Sequence, residues 1–98
     1  MNTTLSIHLE NYNSGSPMGA VLADETEMTD NVLDSEYCDT LDDFVEFAAR
    51  NKEYINANTN ICIIANIDEV SSTNVLHFGN DVAMAIRKAM REGEAYES

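Results

Sequence analysis

Between Leu22 and Phe47 the chain carries Asp24, Glu25, Glu27, Asp30, Asp34, Glu36, Asp39, Asp42, Asp43 and Glu46, and not one Lys or Arg. Like charges held close raise the free energy of any compact state, and salt screens only part of that repulsion. The stretch therefore belongs on a surface, and the remainder of the chain must supply the core beneath it. A sequence of 98 residues suffices for one core and not for two, so residues 1–98 read as a single acidic domain. At 44% hydrophobic residues the composition is that of a folded chain, even with a formal net charge of -13.

The core elements are readable around the acids. In "TLSIHLE", Leu5, Ile7 and Leu9 alternate with Ser6, His8 and Glu10, the period of a strand with one dry and one wet face. The turn residues of "NYNSGSPMG" lead into a second apolar run, "MGAVLAD", and the two predict a hairpin. The acids from Asp24 to Glu36 then read as an irregular stretch. Thr40 is placed to cap a helix from Leu41 to about Ile55, with Leu41, Phe44, Val45 and Ala48 on its apolar stripe and Asp42 and Asp43 in its first turn. "NICIIANID" predicts a central strand, and "TNVLHFGN" a short fourth strand ending at Gly79. Asn80 would cap a second helix ending near Gly93, with Val82, Ala85, Ile86, Ala89 and Met90 inward and Arg87, Lys88 and Arg91 complementing its C-terminal dipole. The expected fold class is α+β, a small, mostly antiparallel three- to four-stranded sheet with two helices packed on it.

Catalytic and metal chemistry find little to stand on. Cys38 and Cys62 lie 24 residues apart with no CxxC spacing, and Cys62 reads as a small buried hydrophobe. His8 falls on the wet face of the first strand and His77 near a strand end, neither beside a nucleophile motif. "YNSGSPMG" lacks the Lys and the strand-to-helix context of a phosphate loop, and "DETEMTDNVLDSE" lacks the Gly of a calcium loop. Adjacent exposed acids such as Asp42 and Asp43 provide no pocket to separate an acid from a base. The expectation is a protein that is not an enzyme, with no cofactor and no metal. No signal-like or membrane-length apolar run is present, which predicts a cytosolic chain.

The carboxylates themselves are then the functional element. B-form DNA carries one negative charge per about 1.7 Å of axis, and helical residues three or four apart stand about 5 to 6 Å apart on one face. Asp39, Asp42, Asp43 and Glu46 have that spacing, and the acids before them prolong the row. Such a row can imitate phosphates. The expected partner is a basic, DNA-binding protein channel, whereas nucleic acid and anionic membranes are repelled.

A resemblance points the same way. "YNSGSPMGAVLAD" resembles the N-terminal hairpin of ArdA-type antirestriction proteins, in which a Tyr-Asn-x-Gly pattern precedes a second Gly and an apolar-Leu pair; here these are Tyr12, Asn13, Gly15, Gly19, Val21 and Leu22. The acidic helix "TLDDFVEFAARN" and the strand "ICIIANIDE" follow in similar order. The likeness implies a DNA mimic from a mobile element that occupies the DNA groove of type I restriction enzymes. The chain departs from that family in its shorter length and in Val21, where an aromatic is common. A small acidic α+β domain is also similar to anti-CRISPR proteins of phages and prophages, which implies a type I CRISPR surveillance complex in the bacterial cytosol as target. The partner-binding acids are then the ten from Asp24 to Glu46; Glu92, Glu94 and Glu97 read as a frayed acidic tail in preference to an extension of the row. The alternatives are antirestriction and an acidic adaptor for a basic protein unrelated to DNA.

Overall fold

The computed structural model describes residues 2–12, 16–25, 31–56, 58–65 and 72–97, with 72–73 and 92–97 as backbone alone. The elements are β1 (Thr3–His8), β2 (Gly19–Asp24), β3 (Asn31–Tyr37), α1 (Leu41–Arg50), β4 (Asn60–Ile64) and α2 (Ser72–Glu97). They form a four-stranded mixed sheet in the order β3-β2-β1-β4, with two helices, an α+β fold. The hairpin pairs β1 with β2 antiparallel, Leu5 opposite Leu22 and Ile7 opposite Ala20. β3 is antiparallel to β2, and β4 is parallel to β1. Because β3 therefore runs with β4, the chain must cross from one sheet edge to the other between them, and α1 is that crossover.

One face of the sheet is dry. Leu5, Ile7, Leu9, Ala20 and Leu22 are buried there, and Phe44, Phe47 and Ala48 from α1 close over them with Val75, Val82 and Ile86 from α2. Burying side chains such as Phe44 and Phe47 stabilises by about 1.5–3 kcal/mol each. Both helices share this core, and among the described residues nothing covers the opposite face, where Tyr37, Asn60, Cys62 and Ile64 are exposed. The Thr3 hydroxyl ties the segment after α1 to the sheet, 2.8 Å from the Tyr54 carbonyl oxygen and 2.8 Å from Thr59 Oγ1. Among the described residues, no helix is long and apolar enough to cross a membrane.

Several sequence expectations are corrected. The acids expected in an irregular stretch lie partly on β3, whose residues 31–37 are all exposed except the half-buried Asp34 and so carry no apolar alternation to announce a strand. α1 stops at Arg50 instead of Ile55, because the Asn51 side chain turns back to donate to the Phe47 carbonyl at 2.9 Å and sends Ile55 into the core. β4 is an edge strand, and Cys62 on its open face is exposed, whereas Cys38 is the buried cysteine. "TNVLHFGN" is the first half of α2: Val75, Phe78, Val82 and Ile86 continue one helical stripe. Gly79 sits within it because a Cβ there would stand 2.9 Å from Ile63 Cγ2 and 3.2 Å from Leu9 Cδ1. A glycine that reads as a breaker is in fact the point where helix meets sheet. α2 also runs on to Glu97, so Arg87, Lys88 and Arg91 lie before its last turn, where the dipole effect has faded.

Candidate functional site

The acids group along the β3 edge of the sheet and the first turns of α1. In α1 the reason is the cap. Thr40 Oγ1 accepts from the Asp43 amide at 3.2 Å, and Asp43 Oδ2 accepts in return from the amides of Thr40 at 3.2 Å and Asp39 at 3.1 Å. Those two backbone amides hold the Asp43 carboxyl below the ordinary aspartate range. Asp43 is thus bound into its own helix end. Asp42 and Glu46 are exposed on α1, four residues apart on one face, whereas Asp39, expected to share that helical spacing, is exposed before the Thr40 cap and outside the helix.

On β3, Asp34 is opposite Leu22 and Glu36 opposite Ala20, so both carboxylates rise from the helix-covered face at its open margin. Arg50, in the last turn of α1, meets both. Its Nε and Nη2 donate to Asp34 Oδ2 at 3.1 and 2.7 Å, and its Nη1 lies 2.8 Å from Glu36 Oε2. The guanidinium also rests 5.3 Å over the Phe47 ring, a cation-π contact that fixes its position. Asn51 Nδ2 adds a third donor to Asp34 Oδ2 at 2.9 Å. The bond from Asn51, followed by that from Arg50, holds the Asp34 carboxyl below its ordinary value. Beside these acids the buried Cys38 thiol is pushed up to about 11 by desolvation first and by Glu36 and Asp43 after it.

Asp24 and Glu25 sit at the far end of β2, about 17 Å from Gly19 at the rise of a strand. Asp24 is opposite Thr3 and Asn31, and Glu25 Oε2 accepts from the Thr4 hydroxyl at 2.8 Å. Glu27 and Asp30 lie outside the described residues, and Glu92, Glu94 and Glu97 are described by their backbone alone. The structure therefore brings Asp34, Glu36, Asp39, Asp42, Asp43 and Glu46 to one edge and sets Asp24 and Glu25 at its other end. Sequence reasoning missed Arg50, four residues beyond Glu46, the last of the uninterrupted acids; its role needed β3 to be recognised first.

The quoted hairpin residues have structural duties of their own. Tyr12 stacks on Phe78 of α2 with ring centroids 5.5 Å apart, and a Cβ on Gly19 would stand 3.0 Å from the Glu36 carbonyl oxygen. Asn13 and Gly15 lie outside the described residues. On the open face a concavity of about 600 Å³ is bordered by His8, Met18, Val21, Ser35 and Tyr37. His8 Nδ1 lies 3.5 Å from Glu10 Oε1 there. Asp34 and Asp43 do not line it, and their lowered pKa is the wrong direction for a general acid at neutral pH. Among the described residues no group of three His, Cys, Asp or Glu side chains is placed to hold a metal ion. Comparison with known proteins finds no family model, no curated protein and no solved structure that matches the chain.

Proposed function

We propose that this protein is a DNA-mimicking inhibitor that lays its acidic edge in the DNA path of a type I CRISPR surveillance complex in the bacterial cytosol. The observation that carries the reading is the edge itself: Asp42 and Glu46 exposed on α1 and Asp39 exposed just before its cap, with Asp34 and Glu36 on β3 and Arg50 bridging the two acids of the strand. Arg50 has a geometric part in this. By clamping Asp34 and Glu36 it lets a strand and a helix present acids side by side without flying apart, and it leaves the outer carboxylates to a partner. A chain of net charge -13 is drawn to a basic channel over many ångströms, which speeds encounter, and each Lys or Arg it meets adds a charge-assisted hydrogen bond. Individually such exposed pairs are worth about 0.2–1 kcal/mol. The inhibitor works by their number.

The test is DNA loading by purified surveillance complex after incubation with the protein or with the variant Asp39→Asn, Asp42→Asn, Glu46→Gln. These side chains make no ion pair with a described residue, so the fold stands while inhibition falls by about tenfold or more, the equivalent of about 1.4 kcal/mol. Unchanged potency of the variant removes the mechanism. If DNA loading by the surveillance complex is untouched, a type I restriction enzyme is the next target for the same assay. Binding to a basic protein that DNA does not displace favours the adaptor instead.

A further inference from the structure

Three of the chain's five basic residues, Arg87, Lys88 and Arg91, gather in the second half of α2, before its last turn. Arg87 and Arg91 stand one turn apart on one face, where like charges disfavour the helix. Beside them lies a groove of about 410 Å³, within the size range of small-molecule sites. Its floor is apolar, made by Ile55, Ile61, Ile86 and Met90, with Met84 at the mouth, 70% exposed. The three cations complete its charged lining, and among the described residues no Asp or Glu borders it. Arg87 is held in place, its Nη2 donating to the Thr59 carbonyl oxygen at 3.1 Å, a bond that uses one of its five N–H donors.

We propose that this groove binds a small amphiphilic anion, an unbranched alkyl carboxylate of about eight to ten carbons, with its chain on Ile55, Ile61 and Ile86 and its head between Arg87 and Arg91. A neutral apolar ligand would make no use of the Arg87 and Arg91 charges at the rim, and a bare anion would leave the floor wet. A protein partner at a stable interface covers roughly 800 Å² on each side, much more than this concavity presents. The groove lies along β4, at the opposite sheet edge from β3, so the site stands or falls apart from the inhibitor reading.

Titration calorimetry with hexanoate, octanoate and decanoate below their micelle concentrations, and with decanol as the neutral control, tests the site. Affinity is expected to tighten by up to about fourfold per added CH₂, and decanol to bind roughly tenfold more weakly than decanoate. Arg91→Gln is expected to weaken decanoate about fivefold or more and to leave decanol unchanged, and Ala85→Phe, at a half-buried lining position, to block both. Amide shifts in the NMR spectrum should centre on Ile61 and Ala85. Equal binding of decanol and decanoate, shifts centred on the open sheet face, or a dimer in sedimentation that excludes decanoate would each overturn the proposal. So would absence of binding at about 1 mM, or an Arg91→Gln variant of unchanged affinity and circular dichroism.

Discussion

Asp34 takes three hydrogen bonds from one helix end, two from Arg50 and one from Asn51, and these tie its ionisation to the fold. Its folded-state pKa is depressed, chiefly by Asn51 and then by Arg50, so the charged form favours the native state. That contribution is complete above the unfolded aspartate value near about 4 and is lost as pH falls through the lower, folded value. Asp43 adds to the same window through the amides of Asp39 and Thr40. Urea unfolding between about pH 5 and pH 2 should therefore show a midpoint that falls with acid, and the fall should be shallower in Asp34→Asn. A variant with the same acid slope as the parent would mean that the clamp carries no stability. The clamp on Asp34 could not be read from the sequence, because Arg50 pairs with a strand whose acids hide its alternation.

At the scale of elements, the legible parts are those with a local cause. Leu5, Ile7 and Leu9 announce β1 by period alone, and Thr40 announces the start of α1 because its partner, Asp43, is three residues away. The illegible parts have distant causes. β3 is fixed by pairing with β2 through Gly19–Tyr37 to Asp24–Asn31, and the first half of α2 by a close approach that only Gly79 permits. The two cases predict different costs. Thr40→Ala removes the cap oxygen and should destabilise by about 1 kcal/mol. Gly79→Val gains in helix propensity but drives a branched side chain into Ile63 and Leu9, and should destabilise by about 1–3 kcal/mol. Chemical denaturation of both variants checks the pair, and a Gly79→Val variant more stable than the parent would show that α2 does not need its close seat on the sheet. The candidate acids divide in the same way: Asp42, Asp43 and Glu46 lie on α1, the helix that local spacing predicts, Asp39 falls before its Thr40 cap, and Asp34 and Glu36 on β3 were found only as composition.

For the whole molecule, the charge proposed to serve binding also strains the fold. With a net charge of -13 the native state is compact and its carboxylates are closer than in the unfolded chain, so screening relieves the folded form more than the unfolded one. Attraction to a basic channel is screened as well, with the reverse consequence: salt should weaken inhibition. Raising salt from about 50 to 200 mM shortens the Debye length to below about 8 Å, less than half the span from Gly19 to Asp24. Over that range the urea midpoint should rise while the concentration needed for half inhibition also rises. The triple variant on Asp39, Asp42 and Glu46 should blunt both trends, because it removes acids that repel one another in the free protein and that meet cations in the complex. Its stability should differ from the parent by no more than about 0.5 kcal/mol, as for other exposed substitutions. Opposite responses of fold and inhibition to salt would tie the cost and the purpose of the acids to the same edge; parallel responses, or inhibition indifferent to salt, would separate them and leave the acids as a solvated face.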